Sequence, residues 1–230
     1  MRLCVIPARG GSKRIPRKNI KEFCGKPMIV WSIEAAIKSR CFDRIIVSTD
    51  DEEIALVAKQ AGAQTPFVRP RGLADDYAST TAVIAHAIKW QASHDKMPDN
   101  VCCLYATAPF VRATDLQRGL RILESSGADY ALSVASYEFP IQRAIRITRN
   151  NRIEMLQPEH LATRSQDLEE AWHDAGQFYW GRAAAWITGK PIFSKGACPV
   201  LMPRHRVQDI DTQEDWSRAQ LMFRLLSGTD

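Results

Sequence analysis

The sequence contains no apolar run that approaches the roughly 20 residues required to span a bilayer. Its first residues include no apolar segment of the length found in secretory signals. These two absences lead us to expect a soluble, cytoplasmic protein that does not contact membranes. Hydrophobic residues at 45% and charged residues at 25% are close to globular averages, which excludes disordered, collagen-like and coiled-coil chains.

Cysteine spacing typical of metal sites is also missing. The 6 cysteines are scattered, with no CxxC and no Cys/His pair at the spacing of zinc ligands. Cys4, Cys102 and Cys103 lie within apolar runs that have the character of strands. We therefore expect reduced, mostly buried thiols.

No long basic run occurs outside one short stretch near the N-terminus, although the formal net charge is +5. The basic residues of that stretch are Arg9, Lys13, Arg14, Arg17, Lys18 and Lys21. A nucleic-acid-binding arm is the alternative, but such an arm lies at a free terminus with aromatic residues interleaved. This cluster directly follows an apolar run, so we expect a small polyanionic ligand and no nucleic-acid partner.

Strand-like and helix-like segments alternate through the first part of the chain. Short apolar runs predict strands at residues 2–8, 44–48, 64–68, 101–105 and 130–135. Helical periodicity predicts helices at residues 28–38, 50–61, 80–92 and 115–125. This alternation predicts an α/β fold with a doubly wound, mostly parallel sheet covered by helices on both faces. A chain of 230 residues fits a single domain.

The alternation breaks after residue 136. Residues 143–148 and 152–156 alternate apolar and polar side chains around Asn150 and Asn151, which predicts a hairpin. Residues 157–173 are polar and carry no period. We expect residues 137–175 to form an excursion from the sheet, either a lid or a dimerisation arm. Strands at 176–180 and 199–203 and a helix at 211–226 with a capping box of Thr212 and Asp215 complete the prediction.

Glycine and basic residues are concentrated in residues 7–19, PARGGSKRIPRKN, directly after the first predicted strand. Ligands of open α/β sheets bind outside the carboxyl ends of the strands. Glycine lets backbone N–H groups approach phosphate oxygens there, and Arg and Lys supply charge. The second glycine of GxxxxGK[ST] is missing and GxGxxG does not occur, so neither a P-loop nor a dinucleotide site is expected. The segment predicts a triphosphate-binding loop.

Two aspartates, Asp209 and Asp211, alternate in the string QDIDT near the C-terminus. At the end of a strand their side chains project from the same face. Two carboxylates on one face suit a hard cation such as Mg²⁺. Capping of the last helix is the alternative for Asp211. The acidic groups at 50–51 and 75–76 are assigned to capping or solvation.

Three strings occur in order along nearly the whole chain: ARGGSKRIPRKN, FDRIIVSTDDEEIA and DIDT. Together they resemble the CMP-sialic acid synthetase family of sugar nucleotidyltransferases. The resemblance implies a Rossmann-like nucleotidyltransferase fold and a homodimer. It also implies Mg²⁺-dependent transfer of CMP from CTP to a nine-carbon 2-keto sugar acid.

The resemblance further implies three sets of site residues. Those implied for the nucleotide are Ala8, Arg9, Gly10, Gly11, Ser12, Lys13, Lys18, Asn19, Arg69, Ser79 and Tyr105. Arg9, Lys18 and Asp211 are implied as catalytic, and Asp209 and Asp211 as ligands of Mg²⁺. Those implied for the sugar acid are Arg143, Arg164, Gln177, Phe178 and Tyr179. A surface charge remains the alternative for Arg69, and core packing for the two aromatic residues.

Two strings bear on the sugar: LYATAPF at 104–110 and WHDAGQFYWG at 172–181 resemble family members that act on pseudaminic acid. Tyr105 stands where the sialic-acid-type members have glutamine, and Ala175 where they have asparagine. N-acetylneuraminate stays the alternative substrate. The eight-carbon lipopolysaccharide sugar acid is disfavoured, because enzymes for it have a shorter first motif without GGSK. A non-catalytic nucleotide-binding protein need not retain Asp209 and Asp211. The sequence leaves open whether Asp211 is a base or acts only through the metal.

Overall fold

A computed structural model describes residues 1–228 of the chain. Within these residues the strands are β1 (Arg2–Pro7), β2 (Glu22–Phe23), β3 (Lys26–Pro27), β4 (Arg44–Ser48), β5 (Asn100–Leu104), β6 (Tyr130–Ser136), β7 (Ile145–Ile147), β8 (Ile153–Met155), β9 (Trp172–Arg182) and β10 (Ala197–Leu201). The α-helices are α1 (Met28–Ser39), α2 (Glu52–Gln60), α3 (Thr80–His94), α4 (Ala113–Ser126), α5 (Ala183–Thr188) and α6 (Gln213–Ser227). Short 3₁₀ turns lie at Arg71–Leu73, Ile141–Arg143, Pro158–His160, Ser165–Asp167 and Arg204–Arg206.

The central sheet of the described chain has 6 strands in the order β10-β6-β9-β5-β1-β4. Strand β9 runs antiparallel to both of its neighbours, and the other pairs are parallel. This confirms the predicted α/β fold with a mostly parallel sheet. Because an apolar run carries no sign of strand direction, the antiparallel β9 was not predictable from its pattern.

Helices cover both faces of the sheet, as predicted for a doubly wound fold. On one face, Ile29 and Ile33 of α1 and Leu116 of α4 pack in a core cluster with Trp180 of β9. On the other face, helices α3 and α5 contribute a second cluster that includes Ile84, Ile88 and Trp186. Helix α4 approaches β9 closely at Gly119, where a Cβ atom would lie 2.7 Å from the Trp180 ring. A smaller cluster containing Ile15, Ile210 and Trp216 joins the first loop to α6.

Side-chain hydrogen bonds cap the N-termini of α2, α3 and α6. Asp51 accepts a hydrogen bond from the Ile54 N–H at 3.0 Å at the start of α2. Ser79 accepts one from the Ala82 N–H at 3.2 Å at the start of α3. Thr212 and Asp215 form the predicted capping box of α6. Each cap satisfies an N–H that lacks a partner within the helix.

Two strand predictions differ from the structure. The strand predicted at 64–68 is wrong, since only isolated bridges at Gln64 and Val68 extend the sheet there. Pro66 lies between them and has no N–H to donate. The last strand, predicted at 199–203, is β10 at Ala197–Leu201. Its Pro199 is tolerated because β10 is an edge strand.

The residues between β6 and β9 lie outside the central sheet. Strands β7 and β8 pair antiparallel, which confirms the hairpin, and Asn151 adopts a left-handed φ of 55° in its turn. Strand β9 pairs Trp172 with Ser136, so the residues outside the sheet are 137–171. Within residues 1–228, every helix is too short or too polar to cross a membrane.

Candidate active site

A cleft of about 420 Å³ lies beyond the carboxyl ends of β1 and β5. One part of its lining is the first loop, with Arg9, Ser12, Lys13, Arg14, Lys18 and Asn19. Pro7, residues 105–107, Asp76 and Asp211 contribute the remainder. The cleft therefore lies where the topology of an open α/β sheet places ligands.

The first loop is held by the segment that follows β4. The Ala8 N–H donates to the Ser48 carbonyl at 2.9 Å, and the Gly10 N–H donates to Asp50 Oδ1 at 3.0 Å. A Cβ atom on Gly10 would lie 2.7 Å from an Asp51 oxygen, so this position requires glycine. The Asn19 side chain donates to the Arg9 carbonyl at 2.9 Å and closes the loop on itself. Gly11 has open space around it.

Basic side chains of the loop meet carboxylates within the cleft. Arg9 donates to Asp76 Oδ1 at 2.6 Å, and Lys13 donates to the other oxygen of the same carboxylate. These hydrogen bonds, that from Lys13 first, hold the pKa of Asp76 below its usual value. Asp76 had been assigned to capping or solvation, which the structure corrects. Its position shortly before α3 resembled a helix cap, but the cap is Ser79.

Deeper in the cleft, the cationic groups meet Asp211. Lys18 Nζ donates to the Ile210 carbonyl at 2.7 Å and lies 3.3 Å from Asp211 Oδ1. Arg14 pairs with Asp211 Oδ2 at 2.8 Å. By contrast Arg17 forms a two-pronged contact with Asp51, which holds the pKa of that carboxyl low. Arg17 thus stabilises the start of α2 and is not part of the cleft lining.

Asp209 and Asp211 do not lie at a strand end, which corrects that part of the prediction. Strand β10 ends at Leu201, and residues 207–211 have no regular secondary structure. The two carboxylates flank the buried Ile210. Asp211 belongs to the cleft lining, whereas Asp209 does not. Partial burial, and then repulsion from Asp211, raise the pKa of Asp209.

The two carboxylates fit a hard divalent cation. Burial, and then repulsion from Asp211, raise the pKa of Asp209, and a positive ion would relieve that repulsion. Oxygen is the ligand that Mg²⁺ prefers. Among residues 1–228, no group of three or more His, Cys, Asp or Glu side chains is arranged to hold a metal. A cation here would therefore take further oxygen ligands from water or substrate, as Mg²⁺ usually does.

Arg69 and Ser79 lie beside the cleft and make structural contacts. Arg69 is buried, donates through Nε to Ser48 Oγ at 3.1 Å, and donates through Nη2 to the Ser48 carbonyl. Burial lowers its pKa to about 10. Its guanidinium fixes the end of β4, and Ser79 caps α3. The surface-charge alternative for Arg69 is excluded by its burial.

Tyr105 lines the cleft after β5, and its hydroxyl lies 3.5 Å from that of Tyr179 on β9. Burial raises the pKa of Tyr105 to about 12, so its phenol stays protonated at neutral pH. Tyr179 donates to Asp174, a residue without a predicted role. Gln177 is also buried, and its backbone carbonyl accepts a hydrogen bond from the backbone N–H of Tyr105 at 2.9 Å. Phe178, in contrast, is fully buried in the core, in agreement with the packing alternative.

Arg143 and Arg164 lie in the excursion and are exposed or nearly so. Arg143 donates to the Thr163 carbonyl, and Arg164 pairs with Asp167 at 2.6 Å. The structure therefore brings Arg9, Ser12, Lys13, Lys18, Asn19, Tyr105 and Asp211 together around one cleft. It does not bring Arg143 or Arg164 into the lining of that cleft within one chain.

Comparisons with known proteins agree with this geometry. A family model described as cytidylyltransferase matches residues 3–224. A pseudaminic acid cytidylyltransferase of Campylobacter jejuni is 46% identical over 97% of this chain and 96% of its own length. A CMP-N,N'-diacetyllegionaminic acid synthase of Legionella pneumophila is 32% identical over 97% of this chain and 96% of its own. In fold, the chain is similar to a CMP:2-keto-3-deoxy-manno-octonic acid synthetase complexed with CTP, with a TM-score of 0.68, 17% identity and coverage of 97% and 98% of the two chains.

Proposed function

Since the chain belongs to the cytidylyltransferase family, we propose that it transfers CMP from CTP to the anomeric hydroxyl of pseudaminic acid and releases pyrophosphate. The observation that carries the choice of sugar is the 46% identity, over nearly the full chain, to a relative named for this activity. The relative named for the legionaminic acid derivative is 32% identical over a similar length. N-acetylneuraminate and other nine-carbon sugar acids remain the competing substrates.

The first loop is proposed to bind the triphosphate. Arg9, Lys13 and Lys18 line one cleft, so their charges converge on the space that a triphosphate needs. Ser12 and the backbone N–H of Gly11 are proposed to donate hydrogen bonds to phosphate oxygens. Ala8 and Gly10, whose N–H groups are bonded to Ser48 and Asp50, are proposed to shape the loop around the phosphates. Lys18 is assigned to the α-phosphate because it lies beside Asp211. Positive groups placed before the reaction stabilise the charge that develops on phosphate oxygens during in-line transfer.

The nucleoside is proposed to lie towards β4 and α3. Arg69 and Ser79 stand at the end of β4 and the start of α3, and Asn19 stands at the end of the loop. Asn19 is assigned to the ribose or the α-phosphate, and Tyr105 to the wall that separates nucleotide from sugar. These assignments follow the family resemblance. For Asn19 and Tyr105 they are also supported by the position of both residues in the cleft lining.

Asp209 and Asp211 are proposed to hold Mg²⁺. When bound, the ion neutralises phosphate charge and acts as a Lewis acid. The sugar hydroxyl must lose its proton before it attacks phosphorus. We assign this proton to Asp211, because this carboxylate lies beside Lys18, the proposed partner of the α-phosphate.

The sugar acid is proposed to lie beyond Tyr105, against Gln177 and Tyr179. Arg143 and Arg164 can reach such a site from a second copy of the chain, where an arginine fork suits the sugar carboxylate. Exposed apolar side chains on the excursion support a homodimer: Ile145, Ile147 and Ile153 are 52%, 72% and 74% exposed. Sedimentation at micromolar concentration checks this assembly, and a monomer under turnover conditions contradicts it.

The reaction is tested by pyrophosphate release from purified protein supplied with CTP and Mg²⁺. Pseudaminic acid, N-acetylneuraminic acid and N,N'-diacetyllegionaminic acid are offered in parallel, and UTP replaces CTP in a matched set. We expect release with CTP and pseudaminic acid, and at least tenfold less with each other combination. Release with another sugar alone would retain the chemistry and overturn the sugar assignment. If folded protein that binds CTP released no pyrophosphate with any of the three sugars, the result would favour a non-catalytic nucleotide-binding protein.

A further inference from the structure

The segment that carries Asp209 and Asp211 lacks regular secondary structure. It runs from the 3₁₀ turn Arg204–Arg206 to Thr212, the residue that caps α6. No helix or strand ladder fixes it, so its geometry depends on individual contacts. Gln208 bonds to the Asp209 carbonyl, the Asp211 N–H donates to Asp215, and two further anchors lie at Arg206 and Ile210.

Arg206 provides the contact at the upstream end. Its side chain is buried, and Nη1 and Nη2 donate to Asp115 Oδ2 and Oδ1 at 2.6 and 3.1 Å. Asp115 lies in the first turn of α4 and also accepts the Arg112 N–H at 3.0 Å. A bidentate arginine–carboxylate pair fixes orientation as well as distance. Residue 206 is thus locked to the start of α4.

The backbone of Arg206 is held from a second side. Its carbonyl accepts a hydrogen bond from Gln177 Nε2, and Gln177 is buried in β9 next to the backbone of Tyr105. One residue is therefore tied to α4 through its side chain and to β9 through its carbonyl. The tie to β9 connects it to the wall of the cleft that Tyr105 forms.

Ile210 provides the contact at the other end. Its side chain is buried in the cluster with Trp216, and its carbonyl accepts the hydrogen bond from Lys18 at 2.7 Å. Asp209 lies between the anchors at Arg206 and Ile210, and Asp211 follows directly. These two anchors, together with the bonds of Asp209 to Gln208 and of Asp211 to Asp215, set where both carboxylates lie relative to Lys18.

Stability alone does not call for a buried ion pair at this point. Replacement of such a pair by apolar residues of similar volume is often neutral or stabilising. The ion pair instead fixes the orientation of Arg206, and so the start of a segment that has no regular secondary structure. The geometry points to Arg206, oriented by Asp115, as a positioning residue that sets Asp209 and Asp211 for metal binding and turnover. This inference rests on the proposed function.

The test uses the double variant Arg206→Met/Asp115→Asn, which removes both charges together. Asparagine keeps an oxygen for the Arg112 N–H, so the start of α4 retains its cap. The matched control is Lys190→Met/Asp129→Asn, since Lys190 pairs with both Asp129 oxygens at 2.7 and 2.8 Å away from the cleft. Circular dichroism and thermal unfolding establish that each variant is folded.

Two readouts separate positioning from structural support. The first compares kcat with the binding of metal-free CTP. We expect kcat to fall about 10- to 100-fold, because misplacement by about 1 Å can lower a rate 10²-fold. The dissociation constant of CTP without metal should change less than about threefold, because the first loop is also held by Ser48, Asp50 and Asn19. The second readout is Mn²⁺ binding in the presence of CTP, followed by electron paramagnetic resonance without sugar. Its dissociation constant should rise about 10- to 100-fold, as when an outer partner of a metal ligand is removed.

Arg206→Lys should lie between wild type and the double variant, because lysine keeps the charge and loses the fork. It also carries the test if the double variant does not fold. The inference would be overturned by a folded variant whose kcat and Mn²⁺ affinity equal those of the wild type. It would also be overturned if the wild-type protein bound no Mn²⁺ beyond the amount bound to free CTP. Weakened Mn²⁺ binding in a protein inactive on every sugar would retain the inference and reject the proposed reaction.

Discussion

On one wall of the cleft, Lys13 and Asp76 form an ion pair whose side chains are 79% and 41% exposed. On the other side, the side chains of Arg206 and Asp115 are 9% and 4% exposed. Exposed ion pairs contribute little to stability because water and salt screen them. A broken buried pair leaves an uncompensated charge in the interior, which is strongly destabilising. We therefore expect the first kind of pair to be exchanged for a ligand and the second to persist through the reaction.

This difference separates the cleft into an exchangeable wall and a fixed wall. In the exchangeable wall, the Asp76 carboxylate binds Arg9 and Lys13, the groups proposed to bind phosphate. In the fixed wall, buried contacts hold the segment that presents Asp209 and Asp211. Lys18 joins the two, since it belongs to the first loop and donates to the carbonyl of Ile210.

The largest effect is expected for Lys18→Ala, which removes the junction between the walls. The variant loses the positive charge assigned to the α-phosphate and the hydrogen bond to Ile210. We expect kcat/KM to fall about 10²- to 10³-fold, the usual loss when one group that stabilises a developing oxyanion is removed. Steady-state pyrophosphate release measures the change.

The matched control for this variant is Lys21→Ala in the same loop. Lys21 bonds to Gln213 at 3.1 Å and lies 4.8 Å from the Trp216 ring centroid, outside the cleft lining. Its kcat/KM should stay within about twofold of wild type, as for most surface substitutions. If kcat/KM of Lys18→Ala fell less than tenfold, the proposed role of Lys18 in joining the two walls would be contradicted.

A smaller effect of opposite sign is expected for Asp76→Asn. The asparagine no longer competes as an anion for Arg9 and Lys13, so CTP binds more easily. We expect the KM for CTP to fall about two- to fivefold, within the range of exposed ion pairs. Titration of CTP at saturating sugar measures it. Asp129→Asn, in a remote surface pair, should leave this KM unchanged. A rise in KM for Asp76→Asn would instead make Asp76 a support of the phosphate-binding groups.

Most of the fold could be predicted because its signals are local. Apolar runs and helical periods marked β1, β4, β5 and β6 and the helices α1 to α4 within a few residues. The sequence did not predict β2, β3 or α5, and two further differences have clear physical reasons. The direction of β9 depends on which strands it pairs with, and the segment 64–68 contains a proline that cannot donate to a ladder.

The site divides in the same way. The glycine and basic residues of the first loop are contiguous, so their convergence could be predicted from the sequence. The pairing of Arg206 with Asp115 joins residues 91 positions apart and leaves no pattern in either segment. Asp76 resembled a helix cap because it shortly precedes α3. Its contact with Lys13, 63 residues away, is created only by folding.

The most direct measurement of the two-wall account is a crystal structure of the wild-type chain with CTP and Mg²⁺ and without sugar. The account predicts that Arg9 and Lys13 leave Asp76 for phosphate oxygens. It predicts also that Arg206 keeps its contacts with Asp115 at 2.6 and 3.1 Å. A complex in which Asp76 still holds both cations, or in which Arg206 has separated from Asp115, would contradict it.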